Sequence, residues 1–121
     1  MTKIQNSKTY DLEDRTLAFA NNVRAFYKRL PHTTINVEDG RQLVKASGST
    51  GANYIEANEA LSKKDFMMRI KICRKEAKES RYWLRLIDTG SEIELENARE
   101  HLEKEATELM NIFGSILRKS D

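Results

Sequence analysis

Apolar residues recur at three- and four-residue steps along four stretches of the chain, separated by short polar or turn-forming breaks. The first stretch runs over about 11–30, where Leu12, Thr16, Phe19, Ala20, Val23, Phe26, Tyr27 and Leu30 share one side of a helix. Asp11, Glu13 and Asp14 suit the positive end of its dipole, and Pro31 stops it. The second covers about 36–60, with Asn36 reading as its cap. Its stripe is Val37, Gly40, Leu43, Val44, Ser47, Gly51, Tyr54, Ile55 and Ala60, which is poor in bulk. Ser62 followed by Asp65 resembles a capping box with the shorter acid and opens a third helix over about 63–88. Phe66, Ile70, Cys73, Ala77, Ser80, Leu84 and Ile87 trace its inner face, and Asp88-Thr89-Gly90-Ser91 ends it. A fourth helix over about 93–118 carries Ile93, Leu95, Ala98, Leu102, Ala106, Leu109, Ile112, Phe113, Ile116 and Leu117 on a face whose remainder is mostly Glu and Lys. Four such helices on short connections bury their stripes most simply as an all-α, antiparallel up-down-up-down four-helix bundle.

At 121 residues the chain is long enough for one modest core, so a single domain over 1–121 is expected. Charged residues at 33% and apolar ones at 39%, with five Gly and one Pro, fit helices with one wet face rather than a β-rich or disordered chain. Cys73 has no disulfide partner, and no apolar run approaches the roughly 20 residues of a membrane span. The first 15 residues contain no signal-like apolar stretch either. The expected setting is therefore cytoplasmic and reducing, without membrane association.

Candidate chemistry narrows the picture mostly by exclusion. The Gly- and Ser-rich run 46–53 lacks the spacing and the lysine of a phosphate-binding P-loop. On a helix, Ser47 and Gly51 share a face, where small side chains let a neighbour approach closely; a local kink is the other reading. Metal sites in bundles use Glu-x-x-His pairs, yet His32 lies in the break after Pro31 and Ala98 stands three before His101. No metal or cofactor is expected. Cys73 sits in an apolar stripe and reads as core, and nothing pairs a nucleophile with its base, so the chain reads as non-enzymatic.

Charge changes the picture more. The net charge of +2 hides nine basic against four acidic residues over 61–90, and four against eight over 91–121. On the third helix Lys64, Lys71, Lys78 and Arg85 are spaced seven apart and share one long face. Lys75 and Tyr82 lie on that side, and Arg74 and Arg81 flank it. A basic stripe with an aromatic among it can follow a phosphate backbone. The competing readings are a solvated face, or one neutralised by the acidic fourth helix in the fold or an oligomer. On the opposite flank Glu76, Glu79 and Trp83 fall together without a nucleophile or histidine, which suits a helix or subunit contact.

Several blocks carry a resemblance: Tyr10-Asp11-Leu12-Glu13-Asp14-Arg15-Thr16 with Phe19-Ala20, then Gln42-Leu43 and Ser49-Thr50-Gly51-Ala52-Asn53-Tyr54-Ile55-Glu56-Ala57. Further on come Ser62-Lys63-Lys64-Asp65-Phe66 and Glu76-Ala77-Lys78-Glu79-Ser80-Arg81-Tyr82-Trp83-Leu84. Together they are similar to the four-helix-bundle family named after proteins encoded in intervening sequences of bacterial 23S ribosomal RNA genes. The resemblance implies an antiparallel bundle in a ring-like homopentamer, with no known enzymatic activity and an unsettled role. A related branch, the accessory protein of diversity-generating retroelements, is a basic pentamer that binds nucleic acid and a reverse transcriptase. This chain departs from that branch in its near-neutral charge. Two functions are then expected to compete. One is RNA or DNA binding through Lys64, Lys71, Lys75, Lys78, Arg81 and Arg85. The other is an oligomeric scaffold or adaptor for another protein, with contacts at Tyr54, Glu56, Glu76, Glu79 and Trp83 and close packing at Ser47 and Gly51.

Overall fold

Helix ends in this protein are set by local hydrogen bonds. In the computed structural model, which describes residues 8–120, Ser62 takes an extended backbone and its Oγ accepts the Asp65 N–H at 3.1 Å, opening α3 (Lys63–Leu86). Thr33 does the same for α2 (Thr34–Asn58), accepting the Asn36 N–H at 3.1 Å. The cap is thus Thr33 rather than Asn36, because the Asn36 side chain has another use. It is buried; its Nδ2 donates to the carbonyls of Pro31 at 3.0 Å and Asp88 at 2.8 Å, and its Oδ1 accepts the Asp88 N–H at 2.9 Å. One side chain thereby ties the connection after α1 to the one after α3. α1 spans Lys8–Lys28 and α4 spans Ile93–Ser120, so α1 starts earlier and α4 ends later than the apolar periodicity indicates. Gly90 and Ser91 turn the chain into α4 at φ of 70° and 64°, with the Gly90 N–H donating to Asp88 Oδ1 at 2.9 Å. Residues 1–7 and Asp121, and with them part of the N-terminal stretch read for a leader, lie outside the described residues.

The four helices form an antiparallel bundle in which α3 lies between α2 and α4, and α1 closes the ring. Packing is closest between α2 and α3 and thinnest between α1 and α4. Side-chain size explains the first. α2 buries Ala46, Ser47, Thr50 and Ala57, and α3 buries Cys73, Ala77 and Ser80, so little bulk keeps the two axes apart. The buried hydroxyls cost little, since each donates along its own helix: Ser47 to Val44 O, Thr50 to Ala46 O and Ser80 to Glu76 O. Bulk comes instead from Phe19, Val23 and Phe26 of α1 and from Leu109 and Phe113 of α4. Tyr54 is also in this core, 6.0 Å from Phe113 between ring centroids.

Two α2 glycines differ in what surrounds them. A Cβ on Gly40 would lie 2.0 Å from Cε1 of Tyr27, whereas a Cβ on Gly48 would meet nothing nearer than Arg24 Nη2 at 3.4 Å. Gly48→Ala is therefore expected to raise stability by up to about 1 kcal/mol through helix propensity. Gly40→Ala should lower it by about 1–3 kcal/mol by forcing Tyr27 off the core. Urea titrations of the two variants check this, and two shifts of the same sign would contradict the packing described.

Candidate functional site

The outer arc of α3 is framed by polar contacts to both neighbours. On the α2 side, Arg69 Nη1 donates to Asn53 Oδ1 at 2.9 Å. On the α4 side, Arg81 Nη1 donates to Thr107 Oγ1 at 3.2 Å and Arg85 Nε to Glu103 Oε1 at 3.2 Å. Between these edges Lys64, Lys71, Lys75 and Lys78 are exposed along one face. From Lys64 to Arg85 the arc is about 31 Å long at about 1.5 Å per residue. The six cations expected from spacing therefore divide: four lysines face solvent, while half-buried Arg81 and exposed Arg85 also engage α4. Lys75 Nζ lies 3.9 Å from Glu76 Oε2, a loose contact. Lys63 and Arg74 are exposed beside the same arc and were not among the six. Tyr82 is 57% exposed there, packed edge-on against Trp83 with centroids 5.0 Å apart.

The acidic residues of α4 are mostly turned elsewhere. Arg15 of α1 holds Glu105 through Nε at 2.7 Å and Nη2 at 2.9 Å, and its Nη2 also reaches Glu108 at 2.5 Å. Arg29 of α1 reaches Glu94 at 3.4 Å. Glu96 accepts from Arg99 and from Thr89 Oγ1, both at 2.5 Å, and these bonds hold its carboxyl below the usual range. Arg99 also donates to the carbonyls of Leu84 and Ile87, satisfying the C-terminal end of α3. Among the described residues, Glu103 is the one α4 carboxylate in an ion pair with α3. The lysine arc is thus not neutralised within the fold.

Of the residues expected at a contact site, Glu76, Glu79 and Trp83 come together and the others are dispersed. Gln42, Lys45, Ala46, Ser49, Glu76, Glu79 and Trp83 line a groove of about 170 Å³ between α2 and α3. Trp83 is half-buried there, and burial, reinforced by Glu79, pushes the Glu76 carboxyl up. Tyr54 does not join them, since its 2% exposure places it inside the bundle. Glu56 is exposed but outside this groove. Ser47 is buried, and Gly51 lies against α1, where a Cβ would fall 2.8 Å from Thr16 Oγ1. A second groove, about 310 Å³ between α1 and α2, is flanked by Leu17 and Ile55, which are 60% and 51% exposed. Both histidines are exposed, and the described residues contain no group of three or more His, Cys, Asp or Glu placed to hold a metal. No described helix is long and apolar enough to cross a membrane.

Fold and surface together define a small antiparallel helix bundle with one basic face. Residues 8–115 match the 23S rRNA-intervening sequence proteins, and the chain belongs to that family. It is similar in structure to a protein with unknown function from the S23 ribosomal protein family of Bacteroides thetaiotaomicron. The likeness has 31% identity and a TM-score of 0.72, covering 87% of this chain and 96% of that one. Among curated proteins, none matches.

Cys73 offers a direct check on the core beneath the arc. It is fully buried, and burial pushes its thiol up to about 12. The folded thiol holds its proton while an unfolded one ionises near the ordinary 9.0, so this group makes stability fall as pH rises between those values. A water-soluble aromatic disulfide is expected to label Cys73 at least about tenfold more slowly in the native protein than in urea. Equal rates would contradict the burial.

Proposed function

We propose that the protein is a non-enzymatic, self-assembling bundle of the cytoplasm that binds RNA or DNA through the outer arc of α3. One observation carries the reading: Lys64, Lys71, Lys75 and Lys78 are exposed in a row while the carboxylates of α4 are engaged mainly by α1 and by Arg99. Cations without fixed partners gain most by displacing the condensed counterions of a phosphate backbone. Tyr82, largely exposed among them, offers a face on which a base can stack. Arg81 and Arg85 edge the strand's path. Assembly is the second part of the reading, with the family resemblance favouring a homopentamer, which repeats the arc around a ring. Leu17 and Ile55, apolar and exposed beside one groove, suit such a contact.

A scaffold or adaptor for another protein is the second reading. It is favoured by Trp83, half-buried beside Glu76, whose raised carboxyl could take up a donor from a partner. In that reading Glu79 and Glu56 add rim contacts.

Affinity for a labelled single-stranded RNA, measured by fluorescence anisotropy across a salt series, separates the two. With four lysine contacts, log K should fall against log salt with a slope of about −3. Lys64→Glu, Lys71→Glu, Lys75→Glu and Lys78→Glu together should abolish binding while helicity is retained. An affinity insensitive to both salt and charge reversal would remove nucleic acid from the account and leave the scaffold.

A further inference from the structure

Met68, Tyr82 and Leu86 of α3 are 51%, 57% and 44% exposed, and they fall beside the lysines in a fixed order around the helix. At about 100° per residue, with Lys78 as origin, Lys71 lies at about 20°, Lys64 and Tyr82 at about 40°, and Lys75 at about 60°. Met68 and Leu86 follow at about 80° and Glu79 at about 100°, on the side where Glu79 meets the α2 groove. Asp65, exposed at about 140°, adds a second carboxylate to that edge. In the other direction, toward α4, come Arg85, Arg74 and Arg81. Across its width the face thus passes from cations, through apolar side chains, to carboxylates. Exposed apolar groups aligned along one edge of a charged row, rather than scattered singly, mark a contact surface.

A single nucleic-acid strand has the same transverse order, with phosphates along one edge and base faces along the other. Unpaired bases stack on aromatic side chains and pack on apolar ones. A duplex hides those faces in its own stack, and the phosphates of its second strand would come up against Glu79 and Asp65. Tyr82 is placed for the first role. Trp83 packs edge-on against it at 5.0 Å, and Lys78 and Arg85 are its neighbours one turn away on either side. We propose that this face selects single-stranded nucleic acid, with phosphates on the lysine row and bases turned toward α2 onto Tyr82, Met68 and Leu86. This rests on the nucleic-acid reading and narrows it: the cations supply affinity, and the apolar edge chooses the unpaired strand.

The test uses the full chain and a fluorescein-labelled 12-nucleotide RNA, offered alone or annealed to its complement. The single strand is expected to bind at least about tenfold more tightly than the duplex at equal salt. Tyr82→Ala should weaken single-strand binding about tenfold while leaving duplex binding and the salt slope unchanged, since no phosphate contact is lost. Tyr82→Phe, which keeps the ring, should bind like the parent. Met68→Ser with Leu86→Ser should weaken the single strand alone, by about threefold. All these positions are exposed, so helicity by circular dichroism should match the parent in every variant. If lysine reversal abolishes binding but the parent holds duplex as tightly as single strand and Tyr82→Ala changes neither, the apolar edge has no such role and the arc stands. If the parent shows no salt-dependent affinity for either form, the nucleic-acid reading falls and this proposal with it. Tighter binding to phosphatidylserine vesicles than to RNA, lost in the Met68 and Leu86 variant, would overturn the proposal by assigning the face to an anionic membrane surface.

Discussion

Ile70, Cys73, Ala77, Ser80 and Leu84 turn a narrow, mostly small-sided arc of α3 into the seam between α2 and α4, and all five are fully buried. That burial fixes the rotation of the helix. Turning α3 far enough to hide its lysines would expose Ile70 and Leu84, at a loss of about 3–6 kcal/mol. It would also bring ammonium groups into a core that has no carboxylate among the described residues to receive them. The basic arc is therefore outside because the apolar arc is inside. Close packing with α2 tightens the constraint, since Ala46, Ser47, Thr50 and Ala57 leave no slack into which α3 could roll.

Charge on the other helices determines what that exposure means. A carboxylate-rich α4 next to a lysine-rich α3 invites mutual neutralisation, yet Arg15 and Arg29 draw Glu105, Glu108 and Glu94 toward α1. These pairs lie along the thinnest seam of the bundle, where apolar contact is least. The same bonds that close the ring thus keep α4's charge away from α3. At physiological salt, interactions between exposed charges fade over about 8 Å. A near-neutral total is consequently a poor guide to a face about 31 Å long.

Much of this is legible in the sequence. Periodicity located all four helices, the Ser62 cap, and Cys73 as a core residue, because these depend on local spacing and on one apolar stripe each. What escaped depends on contacts between segments distant in the chain. Asn36 looks like a cap by residue type, and only its bonds to Pro31 and Asp88 reveal a tie between two connections. Tyr54 has a polar tip that suggests a contact surface, but Phe113 comes from the far end of the chain to cover it. Arg81 and Arg85 have the right spacing for the arc, and the partners that draw them aside, Thr107 and Glu103, sit on another helix.

The exposed lysine arc is the center of the account, and lysine-acetylation footprinting with and without single-stranded RNA reads it residue by residue. Lys64, Lys71, Lys75 and Lys78 should be protected by RNA, while Lys28, Lys45 and Lys104, exposed on other helices, should acetylate at unchanged rates. Protection spread evenly over all seven, or confined to the lysines outside α3, would contradict it.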